Sequence, residues 1–526
     1  MRKETIIFIV SFIIISFCYN YHNILFKENS SIHQWRQADC LSITQNFYKE
    51  NLPIHKPKIH HIGDEIGKRG VASEFPIIYY VVGNIWKITG RSEAIFRGIN
   101  LIITFLGLLY LFRLFFKQFN KLIPSLFLAF LIFTSPIYVF YSNNFLADAS
   151  ALSIVFIGWY HFYNYYKNKG EKYLVYCLLL FLFAGLLKVS SLLSFFAIGG
   201  VFLFELISPF KGRENEKLFK RYQIGYFILV FVIIASWYSY AIWYSESEKN
   251  TYVFLKSILP IWELGPERIS ETFSKFFSIQ VPRIFNSGIH ISTLLIFVFN
   301  MFNFNRINKF LSTVNLLLFI GVICFFLLFY QVFDIHDYYL INTLIFYLFT
   351  WFNFFTFLQK HTKWFSSIIF KSITAAALLF LVFISSVHIR HRYDVNDVIA
   401  QAGLDYISKH DKKVLGWYQF DYDKNMKAFN TITPYLRELG INREDVVMVL
   451  GDQSINISLY NMDQIGFTNY CDVREYPNQV ELAKSFGAKY LFISEYKVLD
   501  FPQYQPYMNN KIGKYKNILI FRIPGT

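Results

Sequence analysis

The chain has 526 residues, of which 54% are hydrophobic, 20% aromatic and only 17% charged, where an ordinary soluble domain carries about a quarter charged residues. That deficit, with 61 Phe, excludes a string of water-soluble domains and points to lipid. The net charge of +15 would suit a nucleic-acid binder, but the cations gather in short loops between apolar runs, so nucleic acid is set aside as a partner.

Apolar stretches of about 20 residues cross a hydrocarbon core as helices. The first, about 5–26, follows Arg2-Lys3 and ends on Tyr19-Asn20-Tyr21-His22. No small-residue cleavage site follows, so an uncleaved span is favoured over a signal peptide. A long loop, about 27–93, comes next. It opens on "HQWRQAD", with Arg36 and Asp39 three residues apart. In "CLSITQNFYKE", Leu41, Thr44, Phe47 and Tyr48 recur at helical spacing, which predicts a helix lying on the bilayer surface. Asp39 near its start reads as a functional carboxyl or as a helix cap. Further on, His55, His60, His61, Asp64 and Glu65 match no standard metal spacing and read as an ordinary loop with no metal. Glu74, in "SEFPIIYY", is a working acid or a charge at the membrane edge.

Ten more spans are predicted near 94–116, 122–141, 147–166, 173–188, 190–209, 222–244, 287–304, 310–332, 338–358 and 372–389. Asp148, in "NNFLADASAL", sits at the mouth of the fourth span, as a functional acid or a capping one. Lys188, in "GLLKVS", separates two short runs that cross singly or form a re-entrant pair; its alternative reading is a cation snorkelling to the surface. "DIHDYYL" places His336 and Tyr338 at the mouth of the tenth span, where the tyrosines also suit an aromatic belt.

The connectors at 1–4, 117–121, 167–172, 211–221, 305–309 and 359–371 hold 17 Lys or Arg against four acids. Such loops face the cytoplasm. The N-terminus is then inside, and eleven spans put the C-terminus outside. Asp39, Glu74, Asp148, Lys188, His336 and Tyr338 all fall on that same outer face, and ionisable groups at membrane depth mark functional sites. The five cysteines form no CxxC pair; the topology allows Cys40 and Cys471 one compartment, and a disulfide between them is disfavoured.

From about 391 the composition changes. "KKVLGWYQF", "DVVMVLGD", "AKYLFISE" and "NILIFRI" read as strands, and "ITPYLRELG" and "QVELAKSFG" as helices with Gly at the stop. The expectation is a polytopic α-helical membrane domain, 1–390, followed by a soluble α/β domain, 391–526. Gly451-Asp452 has the position of an α/β ligand site but reads better as structural.

Taken in order, "WRQAD", "EFP", "FLADA", "GLLKVSSLL" and "HDYYL" resemble family 39 of the GT-C glycosyltransferases, which includes protein O-mannosyltransferases and the lipid A aminoarabinose transferase. The resemblance covers about Lys3 to Arg390. The segment "ITPYLRELGINREDVVMVLGDQSINISLY" also resembles the outer domain of bacterial members of unassigned acceptor. It implies an inverting transfer of a sugar from a polyprenyl-phosphate donor to a lipid, glycan or protein acceptor of the cell envelope, at the outer face of the bacterial cytoplasmic membrane. It implies that the acid after the first span, here Asp39, acts on the acceptor. No cofactor is required, and a divalent metal is not favoured. Arg36, Glu74, Asp148, Lys188, His336 and Tyr338 become the candidate substrate-binding residues.

The chemistry agrees independently. A carboxylate within reach of a hydroxyl can take its proton, typically for ~10²–10⁴-fold in rate. A phosphate leaving group needs cations or N–H donors. Arg36 is the first choice because Arg binds phosphate bidentately; Lys58, Arg69, Arg283 and His336 are others. The chain departs from the family at Cys40, where the mannosyltransferases carry Glu, and at Phe75-Pro76, where the aminoarabinose transferase has Lys-Pro. The alternatives are a transporter or lipid flippase, although no repeated halves with midplane polar groups are evident, and a sensor or scaffold built on the outer domain.

Overall fold

The computed structural model describes residues 3–63, 67–207, 217–250, 258–470 and 479–525. The chain divides into two compact units. One comprises Met1–Phe26, Ala94–Trp237 and Ser257–Lys412; the other comprises Lys27–Glu93, Tyr238–Lys256 and Lys413–Thr526.

All eleven apolar runs are helical. They appear as Lys3–Cys18, Glu93–Phe119, the pair Leu122–Thr134 and Pro136–Ser142, Asp148–Asn168, Glu171–Leu187, Val189–Ile207, Arg221–Ser247, Ser287–Phe302, Lys309–Leu328, Asp337–His361 and Ile368–Tyr393. Among the described residues six are long and apolar enough to cross a membrane, or eight if each of two bent pairs counts as one span. Lys3–Cys18 and Glu171–Leu187 fall short in length, at 16 and 17 residues, and Asp148–Asn168, at 21 residues, falls short in apolarity. The first helix stops before its apolar run does because Asn20 takes a left-handed conformation at φ 60°. The Leu122–Thr134 and Pro136–Ser142 helices meet at 78°. Pro136 has no N–H to continue the ladder, and Ser135 before it is extended (ψ 118°). At Lys188 the backbone is also extended (φ −159°), so the helices on either side are separate elements.

The second unit is built on a five-stranded sheet: β1 (Val447–Leu450), β2 (Gly466–Phe467), β3 (Tyr490–Ile493), β4 (Lys511–Tyr515) and β5 (Ile518–Arg522). Their order is β2-β1-β3-β5-β4. β1 runs parallel to β2 and β3, and β5 antiparallel to β3 and β4. Side chains alternate between two cores: Val447, Val449, Phe492 and Ile520 face Leu436 and Leu459, whereas Met448, Leu450, Leu491 and Phe521 face Val480 and Ala483. Three of the four expected strands are present. "KKVLGWYQF" is not a strand; it lies in the helix Lys409–Asp421. Its unbroken apolar run lacks the alternation that would separate the two states. Leu415 alone is driven inward, while Trp417 and Phe420 are 58% and 63% exposed. The helix predicted over "ITPYLRELG" is Thr433–Glu438, and Gly440 after it has φ 77°.

The first loop belongs to this sheet-containing unit, and residues 391–412 belong to the helical one. The loop contributes the helix Gln34–Glu50, whose residues from Gln37 to Phe47 are all buried. Protein, rather than a bilayer surface on one side and water on the other, covers it. Ala38 joins the core that holds Val447 and Ile520. Ile77–Thr89 packs so closely that a Cβ on Gly83 would lie 2.8 Å from the Thr44 carbonyl oxygen. His61 bridges to Gly466 at the edge of the sheet, with Ile62 N–H donating to the Gly466 carbonyl at 2.9 Å.

Candidate active site

In the sheet-containing unit the centre is Asp39, on the second turn of Gln34–Glu50. It does not cap that helix: the cap position is His33, with φ 54°. Asp39 is 5% exposed. Its Oδ1 accepts a hydrogen bond from Asn456 Nδ2 at 2.7 Å, and its Oδ2 is 4.0 Å from Arg36 Nη1. Burial pushes its pKa up to about 6, against the pull of Arg36 and Asn456 toward the ionised form.

Arg36 is divided between two tasks. Its Nη2 donates to both oxygens of Glu74, at 2.7 and 2.8 Å, and approaches Ser73 Oγ at 3.3 Å. Its Nη1 is buried and has no hydrogen-bond partner among the described residues. Glu74 also accepts from Ser73 at 2.5 Å and from the Tyr79 hydroxyl. Glu74 is therefore an anchor for Arg36. Cys40 is a free buried thiol 3.3 Å from Tyr79 Oη, pushed up to about 12 by burial. Cys471 lies outside the described residues.

The helix bearing Asp39 is clamped along its length. Arg91 reaches Gln45 Oε1 at 3.2 Å and lies over the Tyr460 ring. Arg443 donates to Asn46 Oδ1 at 2.5 Å, to Glu50 at 2.9 Å and to Asp463 at 2.9 Å. Arg69, expected as a phosphate ligand, is paired with Glu50 at 2.7 Å. His60 is buried and pushed down to about 4 by burial, hence neutral; its Nδ1 is 2.8 Å from Ser42 Oγ. Asp64 and Glu65 lie outside the described residues. Asp452 is spent on its own loop, accepting from the N–H and hydroxyl groups of Ser454 and Ser458 at 2.5–2.8 Å.

The helical unit holds a second cluster. Asp148 opens Asp148–Asn168 without capping it, and its Oδ1 is 2.9 Å from Lys188 Nζ. Lys188 therefore turns into the protein rather than snorkelling. It lies 4.9 and 4.5 Å from the ring centroids of Tyr338 and Tyr339, a cation–π arrangement. The His336 ring stands 5.3 Å from that of Tyr338. Asp337, between them in sequence, is fully buried with Tyr141 Oη at 2.6 Å, Arg392 Nη2 at 3.3 Å and Arg283 Nη1 at 3.7 Å. Arg283, another expected phosphate ligand, is also bound to Asp411 at 2.5 Å.

The expected residues thus fall into two groups: Asp39, Arg36 and Glu74 in one unit, and Asp148, Lys188, Tyr338 and His336 in the other. Asn456, Ser73, Tyr79 and Asp337 were not foreseen. Asn456 sits in the "GDQSIN" that follows β1, and polar residues at the carboxyl end of such a strand were the available signal. No described residues cluster three or more His, Cys, Asp or Glu in a form able to hold a metal ion.

No protein-family model matches the chain, and no curated protein matches it. Solved structures do. ArnT from Cupriavidus metallidurans bound to undecaprenyl phosphate matches over 98% of this chain and 97% of its own, with a TM-score of 0.59 at 10% identity. The apo form of the same protein matches over the same shares with a TM-score of 0.53. This chain shares its fold with these ArnT structures. The Archaeoglobus fulgidus oligosaccharyltransferase, tethered to an acceptor peptide containing the NVT sequon, matches over 92% of this chain and 68% of its own, with a TM-score of 0.50 at 11% identity. The shared fold goes with the several described helices here that are long and apolar enough to cross a membrane.

Proposed function

We propose that this protein is an inverting glycosyltransferase of family 39 type. It moves a sugar from a polyprenyl-phosphate carrier to a cell-envelope acceptor at the outer face of a bacterial cytoplasmic membrane. One observation carries the reading: the buried Asp39 carboxyl faces an Arg36 nitrogen whose hydrogens are unclaimed by any described residue, 4.0 Å away. The shared fold supports it, as does the undecaprenyl phosphate held by one protein of that fold.

The step follows from the groups present. The acceptor hydroxyl gives its proton to Asp39 while its oxygen bonds to the anomeric carbon. The bond from that carbon to the phosphate oxygen breaks, the electron pair leaves with the polyprenyl phosphate, and the configuration inverts. A carboxylate with pKa about 6 is a stronger base than an ordinary one yet is still mostly ionised at neutral pH. Glu74 holds one face of Arg36, so the guanidinium offers Nη1 to a substrate oxygen. Lys188, steadied by Asp148, and the Tyr338–His336 pair are proposed as substrate-binding residues of the helical unit. The helical unit is assigned to the membrane, with the N-terminus cytoplasmic, and the first loop, 27–93, and residues 413–526 to the extracytoplasmic side.

The test is direct. Purified protein in detergent, offered a panel of polyprenyl-phosphate sugars together with a cell-envelope extract that supplies acceptor hydroxyls, is expected to release polyprenyl phosphate in a sugar-dependent way. A transporter or flippase makes no new bond and releases none, so the absence of release with every donor removes the reading. Mass spectrometry of envelope glycans from a deletion strain would identify the acceptor.

A further inference from the structure

Asn456 is fully buried ahead of the Ile457–Met462 helix. Its Oδ1 accepts the backbone N–H of His61 at 3.1 Å and lies 3.5 Å from Ser42 Oγ. A backbone N–H can only donate, so the amide oxygen must lie on that side and the amide NH₂ must face Asp39. The neighbours thus force Asn456 to act as a donor at the 2.7 Å contact with Asp39 Oδ1.

The geometry points to Asn456 as the positioning residue for the Asp39 carboxyl, holding Oδ1, leaving Oδ2 as the oxygen that takes the proton, and favouring the ionised form. What Oδ2 accepts rests on the transfer reading; the positioning does not. Within this unit the charged and titratable groups around Asp39, among the described residues, are Arg36 and Cys40 on its own helix and Glu74 and Tyr79 from the segment beside it. Of these only Arg36 is cationic, and it is shared with Glu74. Without Asn456 the burial of Asp39 is opposed by that one shared cation, so its proton affinity rises.

Asn456→Leu separates donor from shape. It deletes the NH₂ that meets Asp39, fills nearly the same volume and brings no new charge beside the carboxyl. Asn456→Ala deletes the donor together with most of the side chain. The measurement is site-specific carbodiimide labelling of Asp39 in the full-length protein in lipid nanodiscs, followed by peptide mass spectrometry across pH, since the reagent needs the protonated acid. In the wild type, labelling is expected to be half-complete near pH 6. Both variants are expected to raise that midpoint by a pH unit or more, a tenfold gain in proton affinity, whereas Ser42→Ala leaves it in place. A midpoint unchanged in the folded Asn456→Leu protein overturns the positioning role and reduces Asn456 to packing. With an active donor, the acid limb of kcat/KM should move by the same amount while the donor KM holds. A shifted labelling midpoint in a protein inactive toward every donor would retire the transfer reading and leave the positioning intact.

Discussion

Asp39 is a carboxyl whose surroundings make it costly to ionise. Its pKa rises from 3.8 to about 6 on folding. The native state therefore binds its proton more tightly than the unfolded chain does. Below pH 3.8 the group is neutral in both states and the buried form carries no penalty. As pH climbs through 3.8 to 6 stability is lost, by about 3 kcal/mol if the whole shift is realised. Asp39→Asn removes that loss. The variant is expected to melt at least as high as wild type at pH 7.5, to show no such advantage near pH 4, and to lose transfer by ~10²–10⁴-fold; wild-type turnover in it would contradict the base assignment. In the wild type the rate should fall about tenfold per pH unit below 6, read from a kcat/KM profile. The Lys188–Asp148 pair behaves differently. Lys188→Met leaves a buried carboxyl without that cation, a loss that costs about 3–5 kcal/mol where such pairs are broken. Adding Asp148→Asn should restore much of the melting temperature, and simple additivity of the two losses would count against the pair.

Among the elements, the Gln34–Glu50 helix carries the consequences. Gly83 lets Ile77–Thr89 approach it within backbone distance. Gly83→Ala forces the two apart around Thr44 and Phe47, and the overpacking is expected to cost about 1–3 kcal/mol, seen as a lower melting temperature with the chemistry of Asp39 unaltered per folded molecule. That this segment is helical was legible from Leu41, Thr44, Phe47 and Tyr48. Its burial on every side was not, since Ser42, Gln45 and Asn46 look solvent-facing until the sheet and the Arg443 clamp are in place. The apolar helices were legible for the reason that lipid leaves no other way to satisfy a spanning backbone. The Lys409–Asp421 helix was misread because Trp417, Tyr418 and Phe420 are apolar without being buried. Arg36 and Asp39 announced themselves by spacing, but Glu74, 38 residues from Arg36, becomes its counter-charge only through the fold.

At the scale of the molecule, the first loop and the C-terminal sheet form one unit, so the soluble domain is not a detachable appendage. Deleting residues 413–526 strips Ala38 of its core and Arg443 from Asn46 and Glu50. The expected result is rapid protease cutting within 27–93 and no transfer; an intact, protected loop in the truncated protein would show that the helix stands without the sheet. One contact reaches further still. Asp39 and Asn456 are 417 residues apart, and chains elongate at about 5–20 residues per second. The acid therefore leaves the ribosome about 20–80 seconds before the amide that completes it, and a nascent or prematurely terminated chain carries a WRQAD segment with no competent base.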